Sequence, residues 1–404
     1  MDVRSNICVI GNGAIGKTAA LGFAQMGLSV TLLAPQAASS ELNPQEETWD
    51  ARVYALNHVA RGLLDSVKAW HAMDAARIAP VDGMVVRGDD AQRPGRLDFD
   101  AYGARTDALA WIVEDRNLNR ALDTALRFAP NLRIVNGKAV ALRAGPDCAS
   151  VQLDNGGMLS AELLVGADGG QSWVRNQCDI GIDYRSYGHQ AIVSNFECDK
   201  PHHGVAYQWF TSAEGIVALL PLPGQRVSLV WSAPEALAQT LLNGSLSQLA
   251  ERLNALTGHQ LGSLRPLQPE LVRAFPLSLI RPHAITASRV ALVGDAAHVV
   301  HPLAGQGMNL GFGDVDALLK IVAEREQHRD CGDDRVLSRY ARARKEDIFL
   351  MQLATDGLER LFAADFEPLR LARNIGLNLV NKLPVIKRTL IAQALGKRPW
   401  KHTD

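Results

Sequence analysis

The stretch NICVIGNGAIGKTAALGFAQMG, residues 6–27, decides the architecture. Residues 6–10 are a short apolar run of strand type that leads straight into Gly11-Asn12-Gly13-Ala14-Ile15-Gly16, and residues 17–27 read as a helix stopping at Gly27. Strand, glycine turn and helix in that order open a nucleotide-binding βαβ unit. Gly11 permits the tight turn, Gly13 lets a pyrophosphate approach the backbone, and Gly16 lets the helix pack closely on the strand. The helix N-terminus offers unpaired N–H groups and the positive end of its dipole to an anion. Residues 28–33, LSVTLL, supply the second strand. The next position, where an acid commonly takes the ribose hydroxyls, holds Ala34 followed by Pro35, so the adenosine end must be held by other groups.

Two further glycine-acid turns follow apolar runs. AELLVGADGGQSWVR sets Asp168 and Gly169 after the strand-like residues 163–165 and ends in Arg175. SRVALVGDAAHVVHPLAGQGMNLGFGDVDAL sets Gly294 and Asp295 after residues 290–293 and then runs through a glycine-rich GQGMNLG into a helix. A carboxylate at the carboxyl end of a parallel strand is well placed to accept hydrogen bonds from the hydroxyls of a bound cofactor. Taken singly, Asp168 and Asp295 read equally as helix caps. The three turns together point to one dinucleotide site.

The rest of the composition narrows the class. A chain of 404 residues with 47% hydrophobic and 21% charged residues is long enough for two or three lobes and is neither disordered nor fibrous in character. Its 42 Lys+Arg against 43 Asp+Glu leave a formal net charge of −1, which gives no field to attract nucleic acid. Cys8, Cys148, Cys178, Cys198 and Cys331 are odd in number and scattered, without CxxC or Cys/His spacing, so a reducing compartment and no structural metal are expected. Neither a secretory signal nor an apolar run of the roughly 18 residues needed to span a bilayer is evident, so any membrane contact is expected to be peripheral.

GNGAIG, LLVGADGGQSWVR and VALVGDAAHVVHPLAGQGMNLG resemble the three FAD motifs of the class A flavoprotein aromatic hydroxylases, the p-hydroxybenzoate hydroxylase type. Closer still is the resemblance to the ubiquinone-biosynthesis FAD-dependent hydroxylase family (UbiH/VisC type). It extends through DARVYALNHVARGLLDSVKAW, LAWIVEDRNLNRAL, YQWFTSAEGIVALLPLPGQRVSLVWS and the late LSRYARARKED and LRLARNIGLNL, nearly the whole chain.

The resemblance implies an α/β fold: a discontinuous Rossmann-like FAD-binding domain with an inserted antiparallel-sheet substrate domain and a helical C-terminus. The expected division gives residues 1–75, 103–179 and 283–335 to FAD, 76–102 and 180–282 to the substrate lobe, and 336–404 to the helical region. The implied cofactor-binding set is Gly11, Gly13, Ala14, Ile15, Gly16, Arg52, Asp168, Gly294, Asp295, Pro302, Gly305, Gly307, Met308 and Asn309. Asp295 would bond the ribityl chain, Pro302 would line the flavin, and Gly307, Met308 and Asn309 would border its ring. Arg52 would contact the cofactor, the alternative being a surface ion pair with Asp50. NAD(P)H would dock transiently, there being no second complete GxGxxG unit, and the implied chemistry is ring hydroxylation through a flavin hydroperoxide.

No residue is assigned a catalytic role from spacing. His298 and His301 beside the third motif are read as packing residues, and the Tyr207-Gln208-Trp209-Phe210 cluster as strand packing. Residues 180–282 alternate in antiparallel-strand fashion. From Pro368 onward the chain is basic, and Leu371, Ile375, Leu379 and Leu383 recur every four residues, a stripe suited either to packing on the body or to a lipid surface. Three functions stay open at this point. The first is hydroxylation of a polyprenyl phenol by a cytoplasmic protein peripheral to the inner membrane; the second is hydroxylation of a soluble phenol; the third is a non-catalytic FAD-binding part of a multiprotein assembly.

Overall fold

The computed structural model describes residues 2–35, 48–89, 95–268, 272–301 and 305–363, together with 374–375, 377–379 and 381. Its main sheet is built around β1 (Asp2–Ile10), the strand that opens the glycine turn. The sheet includes β2 (Val30–Ala34), β8 (Leu132–Asn136), β11 (Met158–Gly166), β18 (Thr286–Ala287) and β19 (Val290–Leu292) in the order β18-β19-β11-β1-β2-β8. The pairs β1–β2, β1–β11, β2–β8 and β11–β19 are parallel. The antiparallel hairpin of β9 (Ala139–Ala144) and β10 (Ala149–Leu153) hangs from β11.

Both faces of β1 are covered, which is why its end is apolar at consecutive positions instead of alternating. Ile7 and Val9 pack into a core shared with α1 (Ala14–Gln25), α2 (His58–Ser66), α3 (Asp115–Arg127), α7 (Gln306–Ala323) and α8 (Asp334–Ala363). Cys8 and Ile10 point the other way, onto the β9–β10 hairpin and α4 (Trp173–Gln177).

A second sheet carries β16 (Leu264–Pro266), β12 (Ile182–Cys198), β15 (Arg226–Pro234), β14 (Gly215–Leu222), β13 (Val205–Thr211), β5 (Gly83–Arg87) and β6 (Arg96–Asp100) in that order, with β17 (Arg273–Pro282) also paired to β12. Its outer face is sealed by α5 (Glu235–Asn243) and α6 (Leu246–Thr257), whose Leu241, Leu249 and Leu253 pack on Trp209, Leu229 and Trp231. Each such fully buried side chain contributes about 1.5–3 kcal/mol. The sheet is antiparallel except that β13 pairs in parallel with β5, a long-range pairing for which no local residue pattern exists.

A third, small sheet of β3 (Val53–Leu56), β7 (Ala110–Glu114) and β4 (Ile78–Val81) lies between the other two. Residues 78–81, grouped by sequence with the substrate strands, pair with β7, where Ala79 and Val81 bury against Ile112.

Candidate active site

The register places the three glycine turns side by side. Ile10 pairs with Gly166, and Gly166 with Leu292, so the carboxyl ends of β1, β11 and β19 finish level and their turns emerge as neighbours. Backbone contacts knit them: Ala167 N–H donates to Ile10 O at 2.8 Å, and Val293 N–H to Gly166 O at 2.9 Å.

The approach is so close that side chains are excluded. A Cβ on Gly11, whose φ is +124°, would lie 2.2 Å from the Ala167 carbonyl oxygen, and one on Gly16 would lie 2.1 Å from the Gly11 carbonyl oxygen. Around Gly13, by contrast, a Cβ would meet nothing within 4 Å. The α1 N-terminus has no side-chain cap and no acid in its first turn, so its free N–H groups face open space beside Gly13. These residues fit a pyrophosphate. Ala34 is buried at the end of β2 and offers no side-chain acceptor.

The third motif meets the first through Ile15, whose side chain lies 3.3 Å from where a Cβ on Gly294 would sit and 3.0 Å from one on Gly311. Asp295 follows Gly294 and opens onto a cavity of about 450 Å³. Asp295 is exposed to that cavity, yet the protein packed around its carboxyl pushes the pKa above the usual carboxylate range, with His298 and Arg52 pulling partly the other way. Gly305 takes the left-handed conformation and starts α7, again with no side-chain cap and no first-turn acid. Gly305, Gly307 and Met308 line the same cavity, and the space beside Gly307 is open.

Arg52 also lines the cavity, and among the described residues no carboxylate pairs with its guanidinium. The alternative of an ion pair with Asp50 is replaced by backbone anchoring. Asp50 accepts the N–H groups of Arg52 at 3.1 Å and Arg116 at 3.2 Å, leaving the Arg52 guanidinium over the Tyr54 and Phe275 rings. The buried Glu114 braces this loop, accepting from Asp50 N–H at 2.5 Å and from Arg77 at 2.6 and 2.8 Å.

Two expected site residues have partners within the chain, and Asn309 lines the cavity as well. Asp168 accepts from Ser172 Oγ at 2.5 Å and Val174 N–H at 3.0 Å, the capping alternative, because a short helix starting at Trp173 needs its first N–H groups paired. Asn309 ties α7 to the β3–α2 connection, donating to Ala55 O at 2.8 Å and accepting from Asn57 N–H at 2.9 Å. Pro302 lies outside the described residues. Arg175 is buried and joins the second motif to the third through Gly170 O and Ala296 O.

The histidines are bonded within the core. His298 Nε2 lies 2.6 Å from Asp314 Oδ2, and Asp314 also accepts from Arg344 Nε at 2.8 Å and Gly294 N–H at 2.9 Å. Burial alone would raise the Asp314 pKa; His298 and Arg344 outweigh it and hold the carboxyl below its ordinary value. His301 pairs with Ser232 Oγ at 3.2 Å; burial, aided by His189, pushes it down to about 3, so it is neutral at physiological pH. Sequence reasoning missed Asp314 and Arg344. The available signal was a lone acid among the buried Leu310, Gly311, Val315 and Leu318 of α7.

Comparison with known proteins agrees with this geometry. The model of the FAD binding domain family matches residues 4–348. The ubiquinone hydroxylase UbiL of Rhodospirillum rubrum is 34% identical over 98% of this chain and 90% of its own length. The 3-demethoxyubiquinol 3-hydroxylase of Escherichia coli is 33% identical over 97% of this chain and 98% of its own. Among solved structures, p-nitrophenol 4-monooxygenase PnpA from Pseudomonas putida superposes with a TM-score of 0.77 at 18% identity, covering 98% of this chain and 100% of that one. Klebsiella pneumoniae HpxO, complexed with FAD and uric acid, gives 0.74 at 18% identity over 99% and 98%. The chain belongs to the FAD binding domain family and, within it, to the ubiquinone-biosynthesis hydroxylases, and is an FAD-dependent monooxygenase.

Proposed function

We propose that the enzyme uses NAD(P)H and O₂ to hydroxylate the ring of a polyprenyl phenol on the route to ubiquinone. The observation that carries this reading is the junction of three register-aligned glycine turns with a largely apolar cavity walled by the second sheet. FAD, reduced by the nicotinamide donor, supplies the activation of O₂. The chain binds, orients and excludes water.

In this reading Gly11, Gly13, Ala14, Ile15 and Gly16 hold the pyrophosphate at the α1 N-terminus, and Gly294 and Asp295 take the ribityl hydroxyls. Arg52 offers a cation, while Gly305, Gly307 and Met308 bring the α7 N-terminus to the flavin's pyrimidine edge, where negative charge is favoured. Asp168 and Asn309 act indirectly, by fixing the turns that carry these groups. Residues 1–75, 103–179 and 283–335 would form the FAD lobe. The substrate lobe would comprise 180–282 with β5 and β6, and 336–404 the helical region.

The FAD-loaded protein should oxidise NADH or NADPH faster with a short prenyl phenol than without it, and isotope-labelled O₂ should leave one labelled oxygen on the ring. Labelled product from soluble phenolic acids alone would overturn the substrate assignment. The absence of stimulation and product with every phenol would overturn the reaction.

A peripheral membrane contact through the C-terminal region belongs to the same proposal. No helix among the described residues is long and apolar enough to cross a bilayer. Asn374, Asn378 and Asn381 accept from the N–H groups of Gly95, just before the edge strand β6, and of Arg96 and Asp98 on it, while Ile375 and Leu379 are exposed. Leu371 and Leu383 of the same stripe lie outside the described residues. Truncation after residue 368 is expected to reduce flotation with anionic liposomes while flavin stays bound; undiminished flotation would contradict the contact.

A further inference from the structure

Side chains alternate along β13. Tyr207 and Trp209 stack on each other with ring centroids 5.8 Å apart on the face sealed by α5 and α6, as the strand-packing expectation holds. Ala206 and Gln208 fall on the opposite face and line the cavity.

Gln208 stands alone there. Its cross-strand row reads Val193, Val230, Ala218, Gln208, Val86, and its neighbours two residues away along β13 are Ala206 and Phe210. One primary amide is thus set in a wall of hydrocarbon. It is 5% exposed, with its remaining surface open to the cavity, and among the described residues no protein group hydrogen-bonds to it. Tyr54, Asn57, Ser232 and Asn309 also line the cavity, but each is already bonded within the chain; Arg52 and Asp295 are assigned to the cofactor above, and Ser278 stands on β17, off this row. In the ligand-free cavity only solvent can pair this amide, so a ligand that displaces the solvent must either take over those hydrogen bonds or leave the amide unpaired. The feature makes sense when a ligand completes it.

We propose that Gln208 is the specificity residue that reads an oxygen substituent on the bound aromatic ring, its Oε1 accepting from a phenolic O–H and its Nε2 donating to a ring oxygen. The inference rests on the phenol-hydroxylase reading above and adds the group that selects the phenol. Gln208 moves no proton; it fixes which ring enters and how it is turned within the apolar wall.

The test compares two ligands on FAD-loaded protein: 2-prenylphenol, and 2-prenyltoluene, in which a methyl group replaces the hydroxyl. Dissociation constants come from the perturbation of the flavin spectrum. Wild type should favour the phenol by about tenfold or more, because the toluene leaves the amide unpaired. Gln208→Met should bring the two affinities to within about twofold by weakening the phenol while leaving the toluene bound as before, a split that loss of a merely structural glutamine would not give. Gln208→Leu provides the same comparison should the methionine variant fail to fold. A variant that keeps the wild-type preference overturns the role of Gln208 while leaving the hydroxylase reading intact. Wild-type protein that binds neither ligand, or both equally, overturns the inference; failure to bind any phenol also overturns the reading beneath it.

Discussion

Asp314→Ala is expected to cost about 3–5 kcal/mol of stability, because it removes the carboxylate shared by a buried guanidinium, which keeps only the partly exposed Asp347 as an ion-pair partner, and a buried imidazole. Asp314 is fully buried, and its two oxygens hold Arg344, His298 and the Gly294 N–H at 2.6–2.9 Å. Water cannot enter to replace them without opening the contact between α7 and α8. The same carboxylate seats the turn carrying Asp295, so the variant should also lose flavin. Asp314→Asn keeps the shape and one acceptor but removes the charge, and should fall between the two. Urea denaturation of the three proteins tests the account; a loss below about 1 kcal/mol for Asp314→Ala would show that the network is not buried as described.

Gly11→Ala and Gly13→Ala should differ sharply although the two glycines share one turn. At Gly11 the added carbon would strike the backbone of Ala167, and φ of +124° is a conformation that L side chains rarely adopt. Overpacking costs about 1–3 kcal/mol and the strained backbone about 1–3 kcal/mol more. Relief requires parting β1 from β11, so fold and flavin should fail together. Gly13 has φ of −80° and no atom within 4 Å of a new Cβ, so Gly13→Ala should denature like wild type. It should nonetheless hold FAD more weakly, because the carbon occupies the space assigned to the pyrophosphate. Flavin-to-protein ratios and denaturation midpoints, read together, separate the cases. A Gly11→Ala protein as stable and as yellow as wild type would contradict the convergence of the turns.

The glycine turns were legible because their requirements are local. A turn that must pass backbone against backbone declares itself as Gly11 and Gly16, a left-handed turn as Gly294, and a strand covered on both faces declares itself as an unbroken apolar run. Pairings between distant strands left no such mark. Nothing in residues 78–81 distinguishes β7 from the substrate sheet as a partner, and nothing in residues 83–87 announces a parallel alignment with β13. Side-chain commitments were also hidden. Asp168 fits either a cofactor hydroxyl or the start of a helix, and only the positions of Ser172 and Val174 show the cap. Gln208 passed as one member of an aromatic cluster because the alternation that turns it toward the cavity matters only once the two faces of the sheet are known.

The central claim is that three turns, brought level by the register of β1, β11 and β19, hold one FAD. The most direct measurement is the flavin content of the purified full chain, by absorbance and by the FAD released on denaturation. The account predicts yellow protein with FAD equimolar to chain. Folded protein that carries no flavin and takes up none from added FAD would contradict it.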